Sequence, residues 1–346
     1  MKMKKISVLS LLIITSLMIS FTSCKKEGCT DPLANNYDEK AKKDDGTCTF
    51  DVVPIDVYVE LTDYLKANSL DLDDVLTSWI ISAADVNTAV VSTYYIIDLR
   101  TSADFDEAHI PGAVNATLAN IVTQAGSAGG KPILIVCYTG QGAAHGLVAL
   151  RLSGYSSSQV LKWGMSGWHS NAFFDKWTAN CAQTTSSNWV AAPGNITSDV
   201  SFSEPTFTST NTTGADILAE RVTTMLDGGF LGVDASDVIT TPSNYFINNY
   251  WEAATVVTYG NVSGAYRINP LTLELDNFIN LDPSKTIVTY CWTGQTSSVV
   301  TAYLTVLGFT SKSLKFGSNS MIYDNLTSHK WAAPTTDYTV EGTGGY

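Results

Sequence analysis

The sequence predicts an α/β protein made of two tandem copies of one domain, each a central, mainly parallel sheet with helices on both faces. Three observations predict it. Short unbroken apolar runs such as "YYII" and "ILIV" alternate with stretches of helical spacing, the pattern of a parallel sheet covered on two sides. A cysteine follows such a run twice, at Cys137 in "PILIVCYTGQG" and at Cys291 in "TIVTYCWTGQT", 154 residues apart. The flanks repeat as well: "VVTAYLTVLGFTSKSLKFG" answers "GLVALRLSGYSSSQVLKWG", and "NYFINNYW" answers "YYIIDLRT".

Residues 1–23 read as an export signal. "MKMKK" is a basic start, and the apolar stretch "ISVLSLLIITSLMISF" is short for a membrane helix. The small residues of "FTSC" before Cys24 resemble a bacterial lipoprotein cleavage site, with Phe21 where a leucine is usual. Lipidation of Cys24, with anchoring in the cell envelope (periplasmic or at the outer-membrane surface), is the expectation. A plain secretory signal is the alternative. Lys2, Lys4 and Lys5 would leave with the signal, so 17 basic residues face 33 acidic ones, a net charge of −16. Such a chain repels nucleic acid, leaving the lipid anchor as the expected route to a membrane.

Residues 24–50 have too few large apolar side chains for a core. "GCTDPLANNYDEKAKKDDGTC" resembles the small acidic module that follows lipoprotein signals in many Bacteroidetes surface proteins. In an oxidising envelope, a disulfide between Cys29 and Cys48 is the simple expectation. Asp31, Asp38, Asp44 and Asp45 offer a weak calcium signal, because only "DDG" of a calcium loop is present. Residues 51–66 read as a linker.

The first domain is read as 67–194. "SLDLDDVLTSWI" has the helical spacing of Leu70, Val75, Leu76, Trp79 and Ile80. "STYYIIDLR" and "KPILIVCYTG" are buried strands, and "GAAHGLVALRLSGY" is a helix stopped by Gly154. "SQVLKWGMSGW" is a short strand leading into a turn. The polar segment 195–212 is a linker, 213–335 the second and more degenerate domain, and 336–346 a tail. "NWVAAPG" around Trp189 and "KWAAPT" around Trp331 read as matching domain ends.

The cysteine loops carry the chemistry. In a thiol at a strand's carboxyl end, beside the start of a helix, backbone N–H groups converge near the sulfur. They are expected to stabilise a thiolate, lower its pKa and cradle an anionic group bound to it. Glycines at 140 and 142 let the backbone approach. A buried structural cysteine is the bland alternative. Cys181 is a third unpaired thiol. No CxxC pair is present, which argues against a thioredoxin-like oxidoreductase and against zinc.

Here the chain resembles a tandem rhodanese, of the sulfurtransferase family. The family segment D-x-R-x-x-x-E-[FY]-x-x-G-H-I-x-G-A reads "DLRTSADFDEAHIPGA", matching at Asp98, Arg100, Phe105, His109, Ile110, Gly112 and Ala113. The active-site form C-x-x-G-x-[RTA] matches at Cys137 and Gly140, 39 residues after Asp98. The resemblance implies sulfur transfer through a Cys137 persulfide, from a small thiosulfate-like donor to a thiol or cyanide acceptor, without metal or organic cofactor. It implies a substrate cradle from Tyr138, Thr139, Gly140, Gln141, Gly142 and Ala143, mainly through backbone amides, with Arg100 as a further contact. Asp98 and His109 are expected to be structural, and Cys291 to be a second catalytic thiol.

Departures qualify this. The loop side chains are uncharged, whereas thiosulfate-using relatives often place basic residues there. In the second repeat Asn248 stands for the aspartate, Tyr250 for the arginine and Asn261 for the histidine. His145 lies eight residues after Cys137, about 12 Å along a helix, too far for a Cys–His pair. His169 is a possible substrate contact, and Trp163, Trp168, Tyr138 and Trp292 read as packing or pocket walls. Phosphatase chemistry would need an arginine six positions after the cysteine, where Ala143 and Ser297 stand. The alternative function is a non-catalytic rhodanese-like binding or sulfur- or redox-sensing module, and a third reading is redox change of Cys137 and Cys291 with each other or with Cys181.

Overall fold

A computed structural model describes residues 25–50, 55–89, 91–198 and 200–346. The signal segment and Cys24 lie outside the described residues. Residues 25–50 belong to one unit and 55–346 to another.

In the small unit, Cys29 and Cys48 form a disulfide. Among the described residues its buried apolar side chains are Cys29, Ala34 and Ala41, too small a set for a core, so the cross-link does what a core cannot. Asp38 holds Lys26 at 2.5 Å, and Asp44 and Asp45 accept the turn N–H groups of Gly46 and Thr47 at 3.0 Å. Among the described residues, no group of three or more His, Cys, Asp or Glu side chains is placed to hold a metal ion.

The large unit begins with α1 (Val57–Ala67), α2 (Leu72–Val75), β1 (Ile80–Ile81), α3 (Ala83–Thr88), β2 (Tyr95–Asp98), α4 (Ser102–Glu107), β3 (Val114–Asn115), α5 (Ile121–Ala125), β4 (Ile133–Val136), α6 (Gln141–Leu152) and β5 (Gln159–Leu161). The strands lie in the order β1-β5-β4-β2-β3, every neighbouring pair parallel. After β6 (Trp189–Val190) come α7 (Gly214–Asp227), β7 (Gly232–Val233), α8 (Ala235–Thr240), β8 (Tyr245–Asn249), α9 (Ala253–Tyr259), β9 (Asn261–Val262), β10 (Thr286–Tyr290), α10 (Gln295–Val306) and β11 (Ser311–Leu314). The second sheet, β7-β11-β10-β8, is also parallel and repeats the order of the first. The predicted α/β class holds.

Alternate strand residues serve different cores, as a period of two requires. Ile97, Ile133 and Ile135 of the first sheet and Phe246 and Ile287 of the second enter one shared core with α6, α7 and α10. Ile96, Leu134 and Val136 pack on the opposite side with Ile110, Met165 and Trp168. Ile247, Val288 and Tyr290 do the same in the second half. Burial on both faces is why these strands read as unbroken apolar runs. α6 packs on α10, and every α6 residue except Gly142 is buried.

Three boundaries differ from the sequence reading. The expected linker 51–66 contains most of α1, whose first N–H groups, Tyr58 and Val59, are capped by Asp56 at 3.0 and 3.2 Å. Leu61 and Leu65 on α1 have no exposed surface. Each contributes about 1.5–3 kcal/mol of burial, which makes the segment core. The expected helix over "SLDLDDVLTSWI" shrinks to α2, because Val160 N–H donates to Trp79 O at 2.8 Å and draws Ile80–Ile81 into the sheet. The expected match of Trp189 with Trp331 also fails. Trp189 lies in β6, antiparallel to β9, whereas Trp331 stacks on Trp177 at 5.5 Å.

The symmetry is instead crosswise. Chain following the first half pairs with the second, Val190 opposite Asn261. The tail returns to the first half, Glu341 bridging His109. Linker residues Val200, Phe202 and Phe207 also pack on the shared core.

Candidate functional site

β4 ends at Val136 and α6 starts at Gln141, so Cys137–Gly140 form the junction. Gly140 caps the helix in the left-handed region, at φ +80°, which a side chain would resist. The turn folds the first amides of α6 back over the thiol. Gly140 N–H donates to Cys137 Sγ at 3.1 Å and Ala143 N–H at 3.3 Å. Gly142 borders the sulfur, since a Cβ on it would lie 3.8 Å away.

Cys137 is 6% exposed. Burial pushes its thiol pKa up, and the amides of Ala143, Thr139 and Gly140 pull it down without offsetting burial. Asp98 adds a further upward push. This corrects the expectation of a lowered pKa. The loop brings dipoles to the sulfur but no cation, and dipoles alone do not replace lost water.

The floor of the loop comes from residues whose role was not foreseen. Met165 N–H donates to Cys137 O at 2.9 Å, and Ser166 N–H to Tyr138 O at 3.2 Å. Gly164, φ +62°, lies so close that a Cβ would be 2.4 Å from Cys137 O and 2.6 Å from Thr139 N. The signal was present: "KWG" and "KFG" end the repeat in both copies, and Gly317 meets Cys291 O in the same way.

The cradle residues divide. Tyr138 turns its hydroxyl to the start of α4, bonding Asp104 and accepting Thr101 N–H at 3.2 Å. That hydroxyl is the main cause holding the Asp104 carboxyl below the usual range. Tyr138→Phe is expected to cost about 1 kcal/mol in urea unfolding, with Cys137 alkylation unchanged. An altered alkylation rate would mean that this contact shapes the loop. Gln141 is 2% exposed and points into the second half, accepting Phe316 N–H at 2.7 Å.

Arg100 is also corrected as a substrate contact. Its Nε and Nη2 donate to Asp98 at 3.1 and 2.7 Å, and Nη2 donates to Ala108 O at 2.6 Å. Both side chains of the pair are 1% exposed, so its fork has no face left for an anion. His109 is held by Phe105 O at 2.7 Å and Glu341 at 3.2 Å. His169 lies against Phe174, Tyr346 and Asp337, under the tail. Trp163 packs edge-on against Trp177 at 4.6 Å, and Trp168 lies tilted against Tyr338 at 5.0 Å. Cys181 is a free thiol, donating to Trp177 O at 3.4 Å and raised by burial to about 11.

In the second half Cys291 is 3% exposed and its Sγ accepts Ser297 N–H at 3.3 Å. Trp292 stacks on His329 at 5.0 Å. The strand register corrects the alignment: Asn249 faces Tyr290 as Asp98 faces Val136. Asn249 therefore replaces the aspartate, and Trp251 the arginine. Both Asn249 amide atoms and Trp251 Nε1 are buried without a partner, so the ion pair has no successor here.

Comparison with known proteins bears on the first half. The rhodanese-like domain family matches residues 82–171. Thiosulfate sulfurtransferase GlpE of Shewanella oneidensis is 32% identical over 75 residues, 21% of this chain and 74% of that protein. The chain belongs to the rhodanese family. Among solved structures, this rhodanese-family chain is similar to thiosulfate sulfurtransferase from Pseudomonas aeruginosa, at 16% identity over 80% of this chain and 48% of that one, with a TM-score of 0.28. It is similar also to the 3-mercaptopyruvate sulfotransferase SseA from Escherichia coli, at 17% identity over 69% of this chain and 98% of that one, with a TM-score of 0.26.

Proposed function

We propose that the chain is a sulfurtransferase that carries sulfane sulfur on Cys137. The observation that supports it is the convergence of the Gly140 and Ala143 N–H groups on Cys137 Sγ at the start of α6. The thiol first loses its proton to solvent. The thiolate then attacks the outer sulfur of a thiosulfate-like donor, the donor S–S bond breaks, and sulfite leaves with the electron pair. The terminal sulfur of the resulting persulfide is the negative end that the helix amides are placed to receive. A thiolate or cyanide acceptor then attacks that sulfur, the Sγ–S bond breaks, and the Cys137 thiolate is restored. Because the thiol is held above its ordinary pKa, uptake is expected to rise with pH.

Cys291 is the second candidate thiol, in a second rhodanese-like domain at 213–335 that has lost its ion pair. The chain is further proposed to be lipid-anchored through Cys24 in the cell envelope. Incorporation of a fatty-acid probe that persists in Cys24→Ala would defeat the anchor. Near-complete burial of Cys137 favours one other reading, a rhodanese-like module that senses or binds sulfur compounds without turnover.

Mass spectrometry separates these readings. After exposure to thiosulfate, 3-mercaptopyruvate or polysulfide, Cys137 is expected to gain one sulfur, lose it to cyanide, and gain none in Cys137→Ala. A chain that takes up no sulfur on either loop cysteine from any donor is not a sulfurtransferase.

A further inference from the structure

The two cysteine loops meet through a glutamine. Gln295, the first residue of α10, is 1% exposed. Its Nε2 donates to Thr139 O at 3.2 Å, across the boundary between the halves. Its side chain also fills the space a Cβ on Gly140 would need, 2.0 Å from Nε2.

Thr139 C=O and Gly140 N–H belong to one planar trans peptide, so they point in opposite directions. With the carbonyl turned toward Gln295, the N–H turns toward Cys137 Sγ, which it reaches at 3.1 Å. Within the loop, that plane is held by the Gly140 N–H bond to Cys137 Sγ itself. Gly140 has no side chain, and glycine accepts either sign of φ, so a second hold on the carbonyl from outside the loop keeps the N–H on the sulfur. Among the described residues, Gln295 is placed to do so, since the Thr139 hydroxyl and the Gln141 amide bond each other at 3.1 Å.

We infer that Gln295 is a positioning residue for Cys137, supplied by the second half to the first. The inference rests on Cys137 being the reacting thiol of the proposed sulfur transfer. It also gives a reason for the second copy to keep "TGQ" while Asn249 and Trp251 have displaced its ion pair. The glutamine serves the neighbouring loop whether or not Cys291 reacts.

The test uses the full chain, with alkylation read cysteine by cysteine by peptide mass spectrometry across pH. Gln295→Met keeps the volume and removes the donor. It is expected to raise the pH midpoint of Cys137 alkylation and to slow persulfide formation about three- to tenfold, the loss of one hydrogen bond to the loop. Gln295→Glu sets a carboxylate against the Thr139 carbonyl. It is expected to be slower still at high pH, with recovery where the acid is protonated and can donate. Cys181 alkylation should not change in either variant. A wild-type midpoint and rate at Cys137 in both folded variants would overturn the inference. The wild-type chain gives a check independent of folding: alkylating Cys137 should move the Gln295 side-chain amide resonance, and an unmoved resonance would also overturn it. If wild-type Cys137 takes up no sulfur yet the midpoint shifts in the variants, positioning stands and sulfur transfer fails.

Discussion

Gly164→Ala is expected to destabilise the protein by about 2–5 kcal/mol and to remove the amide cradle from Cys137. Two effects add. At φ +62° an alanine pays the left-handed penalty of roughly 1–2 kcal/mol. Its Cβ would also lie 2.4 Å from Cys137 O, 2.6 Å from Tyr138 C and 2.6 Å from Thr139 N, against backbone that has no rotamer to yield. Overpacking of this kind costs roughly 1–3 kcal/mol more, and relief can come only by lifting the cysteine loop away from β5. Gly154→Ala separates the two effects. Gly154 is also left-handed, at φ +93°, but has open space around it, so only the conformational penalty applies. Urea unfolding of both variants, with Cys137 alkylation in each, makes the comparison. Equal losses in the two, or a Gly164→Ala protein with normal Cys137 reactivity, would refute the role of Gly164 as the loop's floor.

The second large effect is acid sensitivity from His145. It lies on α6 with no exposed surface, edge-on to Phe230 at 5.1 Å. Its Nε2 accepts Leu231 N–H at 3.3 Å, which puts the proton on Nδ1, where no partner is present. Burial drives its pKa down to about 3. The unfolded chain therefore binds the proton first as pH falls below about 6.5. Stability contributed by the neutral ring is whole above that pH and is lost on the way down to about 3. Between pH 6.5 and pH 4 the loss is roughly 3 kcal/mol. His145→Gln keeps an acceptor and cannot titrate, so its stability should fall less by that amount. Carboxylates titrate equally in both proteins and cancel in the difference. Parallel stability–pH curves for the two proteins would show that His145 is not protonated on unfolding.

Much of the fold was legible because its signals are local. Apolar runs ending at Asp98 and Val136, the "TGQ" loops and the ion-pair motif each lie within a few residues of chain. The Asp98–Arg100 pair is itself two residues apart, although its full burial, which removes Arg100 from substrate, is not. The linker expectation for 51–66 overlooks the helical spacing of Tyr58, Leu61 and Leu65. Similarity alone placed Asn248 against Asp98, whereas hydrogen-bond register places Asn249 there. A strand offset by one residue looks almost the same in sequence but turns every side chain to the other face.

The α/β class, the repeated segments and the position of each thiol at a strand–helix junction follow from periodicity and glycine within single segments. What surrounds the thiols depends on long-range packing. That packing sets the burial that raises the Cys137 pKa, the Gly164 floor, the crosswise straps at Val190 and Glu341, and the reach of Gln295 into the first loop. Each of these joins residues far apart in the chain, and contacts of that kind come from how the two sheets pack about α6 and α10.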